Sequence, residues 1–167
     1  MIYILITLAV FLLDTNVKNY IEHNISIGER KNILKGMITV KKQYNSGFCL
    51  NFLDDKIDFV KKVSAIVFSL IAFIFLLILP KKGWRMQKLG LSLTIGGAAS
   101  NLRDRYKKGK VVDYFSFNIK PLKHIVFNLA DIFIIISCFI ITLSSLFHPK
   151  SSLEGLESCQ LSKDEIY

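Results

Sequence analysis

The chain has 167 residues, of which 51% are hydrophobic and 13 are Phe, and its mean hydropathy is +0.41. That is more apolar than one soluble core of this length uses, so an ordinary cytosolic globule is excluded. The net charge of +9, from 22 Lys and Arg against 13 Asp and Glu, does not indicate nucleic acid: the basic residues stand between apolar runs, where anionic lipid headgroups supply the counter-charge. Three cysteines, Cys49, Cys138 and Cys159, are odd in number and far apart, which suggests neither a disulfide framework nor a zinc site.

A helix needs about 20 apolar residues to cross the ~30 Å of bilayer hydrocarbon. The first candidate covers about residues 2–21 and carries Asp14 and Lys18. With no basic stretch before it and no small-residue cleavage site, it reads as a membrane helix rather than a signal peptide. Residues 22–62 are polar, with β-prone residues from Met37 to Val40 and a turn-like Asn45-Ser46-Gly47, and predict a small extramembrane lobe with short strands. Residues 63–79 are seventeen uncharged, mostly apolar positions closed by Pro80, a basic cluster and Trp84, as befits a membrane interface. A third helix, about 87–102, is weaker in hydropathy but rich in Gly90, Gly96, Gly97 and Ser100, residues that let membrane helices approach closely. The fourth covers about 125–147, with Asn128 and Asp131 near its start, and a flexible tail, 148–167, follows. The fold expected is therefore an all-α membrane protein of four transmembrane helices. Its small β-containing lobe lies between helices 1 and 2, on the same side as a 103–124 loop, and both termini lie on the other side.

Ionisable groups in or beside membrane helices are costly, about 2.5 kcal/mol or more each at the centre, and need partners. Asp14 and Lys18, at i and i+4, share a helix face and predict an ion pair that settles the first helix at the interface. Asn101 and Arg105 share a face at the end of the third helix, with Asp104 beside them. The segment from Lys110 to Phe117 is β-branched and aromatic around a single carboxylate, Asp113, and reads as lying among headgroups. Asn128 and Asp131 lie one turn apart in an apolar helix with no following basic residue, so Asp131 is expected to meet Asp113 or Arg105. Two carboxylates in a water-excluding site share a proton, leaving one base and one acid at neutral pH. That is how two aspartates activate water and polarise a peptide carbonyl. His23, His124 and His148 are scattered, and the chain holds neither G-x-S-x-G nor H-E-x-x-H.

These elements, in this order, resemble the lipoprotein signal peptidase (signal peptidase type II) family. The matching residues are Asp14 with Lys18; Asn45 and Gly47; the run Gly96, Gly97, Ala98, Ala99, Ser100, Asn101, Leu102, Arg103, Asp104, Arg105; Val111, Val112, Asp113, Tyr114, Phe115; and Phe127, Asn128, Leu129, Ala130, Asp131. The resemblance implies a four-helix aspartyl protease of the bacterial inner membrane, with its active site on the outer face. It would cut signal peptides from diacylglyceryl-modified prolipoproteins. It further implies a catalytic pair, Asp113 and Asp131, and no cofactor. Asn45, Gly47, Asn101, Arg105, Asn128 and Ala130 would line the substrate pocket, Asp14 and Lys18 would support it, and Asp104 would adjoin it. The partners implied are lipid-modified prolipoproteins and membrane lipids, with the protein a monomer and no nucleic acid involved.

Ser100 stands where the family usually has Gly, Arg103 where it has an apolar residue, and Phe48 with Cys49 and Ile132 where it has small ones. The alternative reading of the residues is a non-enzymatic four-helix protein whose intramembrane carboxylates relay protons or ions. Charge bias opposes the implied orientation. Eight Lys and Arg in 22–62 and seven in 103–123 outnumber four in 80–88 and two in the tail, and the more basic side is usually cytoplasmic.

Overall fold

The computed structural model describes residues 1–48 and 52–146. Cys49, Cys159 and the tail expected over 148–167 lie outside the described residues. Four long helices are present: α1 (Ile2–Asn24), α2 (Ile57–Ile78), α3 (Arg85–Lys108) and α4 (Leu129–Leu146). Strands β1 (Arg30–Ile33) and β2 (Ile38–Asn45) follow α1, and β3 (Val111–Phe117) follows α3. They form one antiparallel sheet in the order β1-β2-β3. The lobe is thus not confined to the connection between the first two helices, because its third strand comes from the 103–124 loop.

α1, α2 and α4 are long and apolar enough to cross a membrane. On α2 only Val60 and Phe75 are buried; a helix this apolar on every side suits a lipid surround. α3 falls short by hydropathy and is built differently. It packs against each of the other three helices and buries Gly90, Ser92, Gly96, Gly97, Ser100, Asn101 and Asp104 among them.

Helix ends differ from the apolar runs for local reasons. α2 begins at Ile57 because Asp58, Lys61 and Lys62 continue the helix beyond its apolar part. α3 runs through the charged residues to Lys108 and stops at Gly109, whose φ of 73° suits a residue without Cβ and whose N–H bonds to the Arg105 carbonyl at 3.0 Å. α4 starts at Leu129, not 125, because Phe127 pairs with β3 instead: its N–H donates to the Phe115 carbonyl at 2.7 Å, and its carbonyl accepts from Tyr114 and Phe115 at 2.9 and 3.0 Å. That pairing places the head of α4 beside Asp113. Tyr114 is buried against Ile21, Ile25 and Val112 rather than lying among headgroups.

The pairing of β2 with β3 shifts by one residue between Val40 and Gln43. Without this bulge Lys42 would stand opposite Asp113; with it Gln43 does, and Asn45 stands opposite Val111. Close helix approach rests on glycine. A Cβ on Gly96 would come within 2.7 Å of the Thr7 carbonyl oxygen, and one on Gly97 within 2.8 Å of the Ala130 carbonyl oxygen. Both obstacles are backbone, whereas the nearest obstacle to a Cβ on Gly90 is the Ile141 side chain, with the Ser137 carbonyl oxygen further off at 3.3 Å. Gly97→Ala is therefore expected to destabilise the bundle by about 1–3 kcal/mol, and Gly90→Ala by less, as read from thermal unfolding in detergent.

Candidate active site

Lys18 and Asp14 are both fully buried, with Nζ 2.7 Å from Asp14 Oδ2. The ion pair expected at the interface lies instead inside the bundle, because α3 supplies it with partners. The Lys18 ammonium donates to Asn101 Oδ1 at 2.6 Å and to Ser100 Oγ at 3.4 Å, which with Asp14 occupies its three N–H groups. Ser100 Oγ in turn donates to Asp14 Oδ2 at 2.6 Å. The serine that departs from the family pattern thus ties α3 to α1.

Asp14 Oδ1 accepts from the Ala130 N–H at 3.1 Å and from the Tyr114 hydroxyl at 3.3 Å. The same hydroxyl accepts from the Leu129 N–H at 2.9 Å, and Asn128 Oδ1 accepts from the Asp131 N–H, also at 2.9 Å. The first three N–H groups of α4, which no helical carbonyl can reach, are thereby satisfied by Tyr114, Asp14 and Asn128. Asp131 Oδ2 accepts from the Asn128 N–H at 3.1 Å and closes a reciprocal capping box. Burial, and then the Asp14 carboxylate, push the Tyr114 hydroxyl above the usual tyrosine range, so it keeps its proton.

Three asparagine side chains aim their amide N–H at two carboxylates. Asn101 Nδ2 donates to Asp131 Oδ1 at 3.0 Å, Asn128 Nδ2 to Asp113 Oδ1 at 2.7 Å, and Asn45 Nδ2 to Asp113 Oδ2 at 3.2 Å. The second partner fixes each orientation. Lys18 can only donate, so it takes the Asn101 oxygen; the Asp131 N–H takes that of Asn128, and the Gly47 N–H that of Asn45 at 3.1 Å. Arg105 Nη2 donates to the Gly47 carbonyl at 3.0 Å, while its buried Nε has no hydrogen-bond partner among the described residues.

Asn45, Asn101, Arg105, Asp113, Asn128 and Asp131 all line one cavity of about 370 Å³. Gly47, Ala130, Asp14, Lys18 and Asp104 do not. The first four act behind its wall through the bonds above. Asp104, expected beside the pocket, turns away from it: it is fully buried, 3.2 Å from Lys108 Nζ and 3.7 Å from Lys18 Nζ, and its Oδ2 accepts from the Val112 N–H at 3.4 Å. Arg103 lies on that side too, 3.7 Å from Asp104, and Ile132 is not a lining residue, whereas Phe48 is.

Sequence reasoning missed Gln43, His124, Ile125, Val126, Ile134 and Ile135 in the lining. Ile134 and Ile135 follow Asp131 at i+3 and i+4, a signal that was present. Gln43 depends on the bulge and His124 on the return of the chain to β3, and neither has a local signature. Among the described residues no group of three or more His, Cys, Asp or Glu could hold a metal ion.

Burial first, and the neighbouring Asp131 second, raise the Asp113 carboxyl from the ordinary range to about 7, against the opposing hydrogen bonds from Asn128 and Asn45. The cavity therefore holds a carboxylic acid able to donate at neutral pH beside a second carboxyl with two donors of its own.

The profile of the family described as Signal peptidase (SPase) II matches residues 6–147. Among relatives, a lipoprotein signal peptidase of Coxiella burnetii is 33% identical over 152 residues, 87% of this chain and 90% of the relative. One of Nostoc sp. is 32% identical over 142 residues, 85% of this chain and 87% of the relative. One of Staphylococcus carnosus is 28% identical over 151 residues, 90% and 94% of the two chains. A solved bacterial membrane enzyme superposes with a TM-score of 0.76 at 25% identity, covering 86% of this chain and 87% of its own.

The raised Asp113 value sets a stability test. Between the ordinary carboxyl range and about 7 the folded chain keeps a proton that the unfolded chain has lost, so stability falls as pH rises through this window. Asp113→Asn removes that loss but also one acceptor. It is expected to stabilise the protein by about 1–2 kcal/mol at pH 8 and to give no advantage at pH 4, as measured by thermal unfolding at the two pH values.

Proposed function

Since the chain belongs to the signal peptidase II family, we propose that it is a membrane-embedded aspartyl endopeptidase that removes signal peptides from diacylglyceryl-modified prolipoproteins. The observation that carries this reading is the convergence of Asp113 and Asp131 on one cavity, each held by asparagine amides, with Asp113 raised to about 7. Residues 1–147 form the protease domain. α3 is the fourth crossing, its polar face covered by α1, α2 and α4.

A water molecule held between the two carboxyls attacks the scissile carbonyl carbon. Its proton passes to Asp131 while the Asp113 proton moves to the carbonyl oxygen, giving a neutral tetrahedral diol. Collapse returns a proton from the diol to Asp113, breaks the C–N bond, and delivers the Asp131 proton to the leaving amine. Neither carboxyl is consumed, and the pair titrates as a unit. Because Asn45, Asn101 and Asn128 direct their N–H groups to the carboxyls, they position the pair, and Arg105, which lines the same cavity, is the cationic donor for a substrate carbonyl. Ile134 and Ile135 supply apolar wall for the signal peptide, and the substrate's lipid remains in the bilayer.

The active site faces outward from the inner membrane of a bacterium, both termini are cytoplasmic, and the protein works as a monomer among membrane lipids. The excess of basic residues on the outer side is partly committed within the protein. Arg105 binds the Gly47 carbonyl, Lys42 the Glu22 carbonyl at 3.0 Å, Lys108 pairs with Glu22 and Asp104, and Lys110 lies 3.7 Å over the Tyr44 ring.

Asp113→Asn and Asp131→Asn are each expected to lower kcat by about 10³-fold or more, and the double variant little further, because the two groups act as one. Cleavage of a lipid-modified prolipoprotein by the purified variants measures this, and substantial turnover by either single variant refutes the mechanism. For topology, Lys82→Cys in a chain lacking its native cysteines is expected to resist an impermeant thiol reagent in intact cells. Labelling there would reverse the assigned orientation.

A further inference from the structure

We propose that a second space, the groove between the end of α1 and the sheet, is a binding site for an acyl chain of a membrane phospholipid. The groove has a volume of about 640 Å³ and is walled by Val17 and Ile21 of α1, Ile33 of β1, Ile38 and Val40 of β2, and Phe115 of β3. A mostly apolar space of this size with a few polar groups at its rim suits an elongated apolar ligand.

The register explains why the groove is open. Ile33 pairs directly with Ile38 and Lys31 with Val40, so β1 extends the apolar wall outward. Among the described residues no element covers this wall: every β1 residue is exposed, and Ile33 is 45% exposed.

Continuity with the lipid-facing surface identifies the occupant. α1 is apolar enough to cross the membrane, and its exposed Leu5, Leu8, Leu12 and Leu13 lead along the helix towards Val17 and Tyr20, where the groove begins. A chain entering from the bilayer passes from one apolar surface to the next without meeting water. Among the described residues Lys31 is the one cation lining the groove, half-exposed beside Glu29 at 3.1 Å, and it stands at the rim with Asn24, where a lipid phosphate would be complemented.

The occupant is a bilayer phospholipid rather than the lipid of a substrate, because no residue lines both this groove and the carboxylate cavity. The two spaces nevertheless abut. Tyr114 and Leu129 line the groove, and each is one position along the chain from a residue of the cavity, Asp113 and Asn128. The bond from the Leu129 N–H to the Tyr114 hydroxyl joins the two groove residues at the head of α4.

The test uses the full chain in nanodiscs of phosphatidylglycerol carrying a photoactivatable group on one acyl chain. Adducts are expected on residues 32–41; adducts confined to α2 and α4 would overturn the proposal. Adducts on 32–41 that vanish when a lipid-modified prolipoprotein is added would overturn it too, by assigning the groove to the substrate. In detergent, native mass spectrometry is expected to show one phosphatidylglycerol retained by the parent. Val17→Trp and Val40→Trp, made separately to fill the groove from either wall, should weaken retention at least tenfold, while Phe73→Trp on the lipid face of α2 should not. Parent-like retention by both groove variants would refute the site. Neither measurement reads peptide cleavage, so the proposal stands or falls independently of the protease assignment.

Discussion

A lysine ammonium withdrawn wholly from water is the constraint on which this structure turns. Removing such a charge from water costs several kcal/mol unless each of its N–H groups is answered, and Lys18 has all three answered by Asp14, Ser100 and Asn101. Two of those partners stand on α3, so the charge fixes the register of α1 against α3. Asp14, relieved of half its charge, uses its other oxygen at the head of α4. Three helices therefore meet at one ion pair. Removing Lys18 would leave the buried Asp14 carboxylate without its cation, whereas Asp104 would keep Lys108 and Arg103.

From that pair, order is passed outward by amides that have no freedom to flip. Because lysine cannot accept, the Asn101 oxygen must face it, and the amide N–H is left for Asp131. Asn128 and Asn45 follow the same logic through the Asp131 and Gly47 N–H groups. The carboxyls are thus held from behind by donors whose direction is set by atoms outside the cavity. Burial and the neighbouring Asp131 raise Asp113 while these hydrogen bonds oppose the rise, and the balance lies at about 7.

Much of this was legible in the sequence, because charge and amide groups in apolar runs are conspicuous. Asp14, Lys18, Asn101, Arg105, Asn128, Asp113 and Asp131 all stand out by type and by spacing. Their direction was less legible. Asp104 reads as part of the same cluster, yet its side chain is taken up by Lys108 and the Val112 N–H of β3, partners that only the folded chain brings to it. Ser100 and Tyr114 carry hydroxyls whose importance depends on three chain segments meeting, which no local pattern announces. The bulge that sets Gln43 opposite Asp113 is one inserted residue in a strand of ordinary composition. Hydropathy placed α1, α2 and α4 but fell short at α3, which packs against the other three helices.

The head of α4 has a consequence for biosynthesis. Its first three N–H groups are received by Asn128 beside it, by Asp14 from the first helix and by Tyr114 from the last strand, so the helix cannot seat its first turn until nearly the whole preceding chain is in place. Asp131 rides on that turn. A chain that ends before α4 carries Asp113 without Asp131. The meeting of the two carboxyls in one cavity thus depends on bonds drawn from three separate parts of the chain, and the cavity and the helix end are completed together.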